Sequence, residues 1–240
     1  MSRILKALGL AIGAMAAMSA LLASAAHAET GALTAEQFPA FVTGEKVNVG
    51  PTFDVGAGKT VTCAISNFDG TLVGPADPAT LIPTYNGCTS EPGAVPVTIT
   101  TNGCDYRFSF TAPGTTGDPM TTGKLRAGVV CPAGAKIEIH LYANAAEHAG
   151  NNPFCTYDLL PQAAVPAGVY HNVAGFPADV TATVQATFTA KNTIGPAFIC
   201  GAEANEHLPI TLTGTYTLKA FEDINGVEGG QIGLHVGLAD

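Results

Sequence analysis

Six cysteines constrain this chain more than any other feature: Cys63, Cys88, Cys104, Cys131, Cys155 and Cys200. None stands in a C-x-x-C, and no histidine has a zinc-ligand spacing from a cysteine pair. A structural metal is therefore not expected. An even number of cysteines behind an apolar leader reads instead as three disulfides formed in an oxidising compartment. Six cysteines allow fifteen pairings. The sequential one is expected: Cys63–Cys88, Cys104–Cys131 and Cys155–Cys200. Closing a loop of about 25 residues stabilises by roughly 3 kcal/mol in the chain-entropy model.

The leader is residues 1–28. Arg3 and Lys6 make a positive start, Ala7–Ala23 is apolar but for Ser19, and Ala26-His27-Ala28 is a small-x-small cleavage site. Cleavage after Ala28 would leave Glu29–Asp240, a secreted, periplasmic or cell-surface chain. No cysteine lies near the cut, and no later apolar run is long enough to cross a bilayer. All 19 acidic residues but only eight of the ten basic ones follow residue 28, giving that part a formal charge of 8 − 19 = −11. Such a balance argues against nucleic acid and anionic lipid as partners. Residues 29–240 suffice for one β domain, with a candidate subdomain boundary near 174–178.

Within that span the best-specified stretch is Val97–Phe110. Asn102-Gly103 suits a type I′ turn, which needs φ > 0 at both central residues. A two-residue hairpin would set Ile99 against Tyr106 and Val97 against Phe108. Val97, Ile99, Cys104, Tyr106, Phe108 and Phe110 then share an apolar face. Thr60–Val73 reads as a strand pair bent at Asn67–Gly70. Thr80–Tyr85 reads as a short edge strand, because of Pro83, ending in an Asn86-Gly87-Cys88 turn. Lys136–Tyr142 alternates cleanly, with Ile137, Ile139 and Leu141 inward. Ala143–Asn152 has helical leanings. Glu29–Gln37 reads as a leader segment, Pro161–Gly168 as a loop and Val169–Val173 as an edge strand. Asp179–Asn192 and Ile210–Phe221 are long strands with threonines on one face. Strands punctuated by Gly, Pro and Asn turns mean an all-β fold, an antiparallel β-sandwich stapled by disulfides.

The order of motifs adds a resemblance. It runs from the Cys63 strand and Tyr85-Asn86-Gly87-Cys88 through Asn102–Phe108 to Val130-Cys131-Pro132-Ala133-Gly134. Cys155 with Pro161-Gln162, Asp179–Thr183 and Gly214-Thr215-Tyr216-Thr217 follow. Over most of Val61–Leu218 the chain resembles a group of uncharacterised secreted bacterial β-rich proteins with six cysteines in this order. The group has no established activity, so the resemblance implies a fold and no catalytic residue.

Candidate chemistry is sparse. Glu138 and His140 share a strand face, close enough for a carboxylate to orient an imidazole, and Glu147 and His148 follow. The alternative is a solvated outer face. Ser66, Ser90 and Ser109 sit in no nucleophile elbow, and oxidised cysteines are no nucleophiles. Asp223, Asn225 and Glu228 surround a Gly-rich turn that could hold calcium but match no calcium loop. If the two threonine-rich strands are neighbours, they make a hydroxyl-covered face that could meet sugar, ordered water or a contact partner. β-Branched polar residues also suit any wet strand face. The sequence therefore assigns no catalytic, cofactor-binding or metal residue. It points to a non-enzymatic binding or structural protein, with an unidentified ligand or surface macromolecule as partner. The alternative is a secreted hydrolase with a carboxylate or histidine site in the loops Ala143–Asn152 and Gly195–His207.

Overall fold

Strict alternation of buried and exposed positions runs through the two longest strands of the computed structural model, which describes residues 30–48, 50, 52–111 and 122–238. The elements begin with β1 (Thr30–Ala35), β2 (Ala40–Lys46), β3 (Phe53–Asp54), β4 (Thr60–Leu72) and β5 (Ala79–Glu91). Next come β6 (Val95–Thr100), β7 (Asp105–Thr111), β8 (Thr122–Val130), β9 (Ile137–Leu141), helix α1 (Ala145–Ala149) and β10 (Cys155–Leu159). The chain continues with β11 (Gln162–Val173), β12 (Asp179–Ile194), helix α2 (Ala197–Cys200), β13 (His207–Ile224), β14 (Val227–Ile232) and β15 (Leu234–Leu238). Every strand pairing is antiparallel. The all-β antiparallel class is as expected. The expected leader and cleavage site in residues 1–28, and a Pro/Gly/Thr-rich stretch expected as a loop over Pro113–Asp118, lie outside the described residues. No described helix is long and apolar enough to cross a membrane.

One continuous sheet forms both layers, because its pairings return on themselves. Four long strands, β4, β5, β12 and β13, run the length of the molecule. At one end they are joined by β2, β11, β8 and β7: β4 pairs β2, β2 pairs β13, β13 pairs β12, and β12 leads through β11, β8 and β7 back to β5 and β4. At the other end β3, β10, β9 and β6 complete a second circuit through the same four strands. Each long strand serves both circuits because one edge pairs with another long strand, β4 with β5 and β12 with β13, while the other edge is divided between two shorter strands.

Aromatic side chains fill the shared interior. Phe53 meets Tyr85 at 5.3 Å between ring centres, Phe68 meets Tyr216 at 4.8 Å and Tyr106 at 5.7 Å, and Phe110 meets Tyr170 at 5.5 Å. Such pairs contribute about 0.5–1.5 kcal/mol each beyond their burial. Tyr216 Oη meets Ser66 Oγ at 3.1 Å. The buried Tyr85 and Tyr106 hydroxyls are neighbours, but neither has a hydrogen-bond partner of good geometry. All three disulfides form, in the sequential pairing. Cys63 and Cys88 stand directly opposite on β4 and β5.

The central hairpin is a correction. Asn102 and Gly103 take φ of +52° and +76°, and the Cys104 amide donates to the Thr101 carbonyl at 2.8 Å, so the turn forms as its chemistry demands. Its flanking strands nevertheless part. Ile99 opposes Ile139 of β9, whereas Tyr106 opposes Leu81 of β5 and Val129 of β8. The cause is β5, which offers residues 88–90 to β6 and residues 79–81 to β7. β6 thereby pairs with β5 and β9, and β7 with β5, β8 and β1. The shared apolar face survives: Val97, Cys104, Tyr106, Phe108 and Phe110 are buried and Ile99 packs on the core.

Four further differences have the same origin in long-range pairing. Thr60–Leu72 is one strand, not a bent pair, and β5 runs unbroken through Asn86-Gly87, with Asn86 opposite Ile65. Pro83, opposite Phe68, lies in the gap between the β6 and β7 pairings, where β5 has only β4 beside it. That is the locally edge-like setting a residue without an N–H requires. The expected Pro161–Gly168 loop is the start of β11, whose register shifts at Gln162/Val165 and Pro166/Gly168 absorb it, and β11 lies between β8 and β12 rather than at an edge. The N-terminal segment supplies β1, which pairs β15 and β7. Residues 174–178 form the loop joining β11 to β12, with Val173 opposite Asp179 at its base.

Candidate functional site

The richest polar constellation lies on the outer face of β9 and β10. Alternation sends Ile137, Ile139 and Leu141 fully inward and Lys136, Glu138 and His140 outward. Register then places Thr100 and Asp158 beside Glu138, and Thr98 and Thr156 beside His140. Lys136 Nζ bridges two carboxylates, Asp158 Oδ2 at 2.5 Å and Glu138 Oε1 at 3.1 Å. The Asn102 amide donates to Glu138 Oε2 at 3.1 Å and to the Lys136 carbonyl at 3.0 Å, tying the turn to the cluster. Burial alone would raise the Glu138 carboxyl. The bonds from Lys136 and Asn102, with the nearby His140, hold it below the usual carboxylate range. The bond to Asp158 leads the effects that raise the Lys136 ammonium. Asp158 and Thr156 are both buried, and Asp158 Oδ1 and Thr156 Oγ1 have no hydrogen-bond partner.

His140 belongs to a second network. Its Nδ1 stands 3.4 Å from Tyr142 Oη, which donates to Asn151 Oδ1 at 2.9 Å. The His148 ring packs edge-on to Tyr142 at 4.8 Å, while its Nε2 meets Thr98 Oγ1 at 3.0 Å. Tyr142, expected on the wet face, is buried, because α1 folds over it. The helix forms where expected: Asn144 accepts from the amides of Ala146 and Glu147 as its N-cap, and Gly150 ends it. Glu147 is held by the Asn152 amide at 2.6 Å, and Glu206 Oε2 by the Glu203 amide at 3.1 Å. Glu138, His140, Glu147 and Glu206 thus have separate partners. A general acid or base acting through another side chain would need them within hydrogen-bond reach of each other.

The remaining candidates are structural in their contacts. Ser66 is spent on Tyr216, Ser90 is buried, and Ser109 lies half-buried on β7. All six cysteines are in disulfides. Asp223 Oδ1 accepts from the Gly226 amide at 2.6 Å in the turn joining β13 to β14. Among the described residues no group of three His, Cys, Asp or Glu is placed to hold a metal.

The threonine face does assemble, because β12 and β13 are neighbours. Thr181 opposes Thr217, Thr183 opposes Thr215, Gln185 opposes Thr213 and Thr187 opposes Thr211. Thr187 and Thr211 share a hydroxyl–hydroxyl bond of 2.9 Å. The pattern was visible along each strand. The Lys136–Asp158 bridge was not, since it spans β9 and β10 and needs their register; the single ionisable carboxylate on β10, Asp158, was its one local sign.

No protein-family model matches this chain, and no curated protein or solved structure is similar to it.

Proposed function

We propose that this chain is a secreted, non-enzymatic binding or structural protein that works at or outside the bacterial cell surface. The separate partners of Glu138, His140, Glu147 and Glu206 carry this reading. Groups held in independent structural bonds are poorly set to exchange a proton with a substrate. Support for secretion comes from three disulfides, which persist in oxidising compartments, and from the leader-like residues 1–28. The acidic balance disfavours nucleic acid as the partner. A stapled, closed sheet with an exposed hydroxyl ladder suits recognition by a rigid surface.

The test has two arms on the secreted chain with its disulfides intact. A thermal-shift screen offers divalent metals, cell-wall fragments, oligosaccharides, lipids and small metabolites. A ligand at about a hundred times its dissociation constant stabilises by roughly 2.7 kcal/mol. The second arm is a panel of chromogenic esters, glycosides and peptides. The expected result is no turnover. Turnover abolished by Glu147→Gln, His148→Ala or Glu206→Gln would establish the loop-borne hydrolase instead.

A further inference from the structure

The eight cations downstream of the leader are unevenly placed. Arg107, Lys124 and Arg126 all project from the outer face of β7 and β8. Register sets Ser109 opposite Arg126, so Arg107 and Arg126 are diagonal neighbours, about 7–8 Å apart at their bases. Neither forms an ion pair among the described residues. Arg126 donates to the Ala164 carbonyl, a neutral acceptor that leaves its charge uncompensated. The one carboxylate on this face of β7 is Asp105, and it does not pair with Arg107.

Beside these arginines the surface is concave. The bulged start of β11 rises over β8, and Gly128 makes this possible: a Cβ there would stand 3.0 Å from the Gln162 carbonyl and 3.1 Å from the Ala164 amide. The resulting cleft, about 350 Å³, is bounded by Pro78 on one side and Gln162–Ala164 on the other, with Arg107 and Ser109 on its wall. No carboxylate lines it. The Arg107 guanidinium and Ser109 hydroxyl have no intramolecular hydrogen-bond partner among the described residues. An exposed, carboxylate-free cleft with a free guanidinium stands out in a chain of such negative balance.

We propose that this cleft binds the oxyanion group of a small ligand, a carboxylate or a phosphate. The Arg107 fork makes the bidentate contact, Ser109 donates a further hydrogen bond, and the Arg126 charge adds to the attraction from the diagonal position. A cleft of this size admits a small metabolite rather than a polymer. The site is remote in topology from the β9–β10 cluster, so its failure would leave the non-enzymatic reading untouched.

Titration of the ¹⁵N-labelled secreted chain with inorganic phosphate, and separately with citrate, tests it. The expected result is saturable shifts at the Arg107 side-chain N–H and the amides of Ser109, Ala163 and Ala164. Arg107→Gln should weaken binding at least tenfold, and Arg107→Lys should weaken it less. Lys191→Gln, on β12, should leave it unchanged. The stronger of the two anions identifies the ligand class. Shifts that fail to saturate with both anions, that spread evenly over all cations, or that persist in Arg107→Gln would overturn the proposal. Arg107 is exposed on a strand surface, and an unchanged amide spectrum elsewhere in Arg107→Gln would confirm an intact fold.

Discussion

Tyr85 and Tyr106 carry two neighbouring phenol hydroxyls into the core, where neither makes a hydrogen bond of good geometry, while Tyr216 beside them is bonded to Ser66. The contrast is a controlled experiment in one core. A buried hydroxyl without a partner costs about 1–3 kcal/mol in desolvation, whereas a satisfied one contributes about 1 kcal/mol net. Tyr106→Phe, which removes only the unpartnered oxygen, should leave stability unchanged or raise it by about 1 kcal/mol. Tyr216→Phe strands the Ser66 hydroxyl and should lower stability by about 1 kcal/mol. Urea midpoints at constant m-value would read both. A Tyr106→Phe loss as large as that of Tyr216→Phe would mean that the Tyr106 hydroxyl is bonded in solution.

Whole strands obey a different logic from single residues. Period-two patterning told which side of Lys136–Tyr142, Asp179–Asn192 and Ile210–Phe221 faces inward, because alternation is a local property. Turn chemistry gave the Asn102-Gly103 conformation for the same reason. Partner choice was not legible. Whether β6 pairs with β7 or with β9 depends on where β5, β8 and β9 have unpaired edges, and those are fixed only when both circuits close. Within the candidate cluster, Glu138 and His140 were legible as face-mates two residues apart. Their actual partners, Lys136 with Asp158 and Tyr142 with Asn151, depend on strand register and on the docking of α1. The splayed arrangement predicts backbone NOE contacts from Ile99 to Ile139 and from Tyr106 to both Leu81 and Val129. None should appear between Ile99 and Tyr106. A cross-strand Ile99–Tyr106 contact would restore the simple hairpin and break both circuits.

Closure of the sheet seals the interior of the whole molecule, and the tyrosines report on that seal. The first strand, β1, pairs with the last, β15, so the ends of the described chain meet in one ladder. Five of the six tyrosines, Tyr85, Tyr106, Tyr157, Tyr170 and Tyr216, have their phenols raised above the ordinary value, burial being the leading cause in each. Tyr157 and Tyr216 are pushed up to about 12. An unfolded chain ionises tyrosine at about pH 10. The folded state therefore keeps protons that the unfolded state sheds, and stability is complete below about pH 10 and lost as pH rises toward the folded values. A tyrosine whose phenol stays protonated in the fold withdraws about 1.4 kcal/mol per pH unit. Tyr157 and Tyr216 alone would withdraw about 5 kcal/mol over two units, comparable with the whole stability of a marginal domain. The expected outcome is an abrupt alkaline transition above pH 10, in which phenolate absorbance near 295 nm and loss of β-sheet circular dichroism coincide. Gradual ionisation of these tyrosines from pH 10 with the sheet signal intact would mean that solvent reaches the core, and that the circuits do not close as a sealed unit.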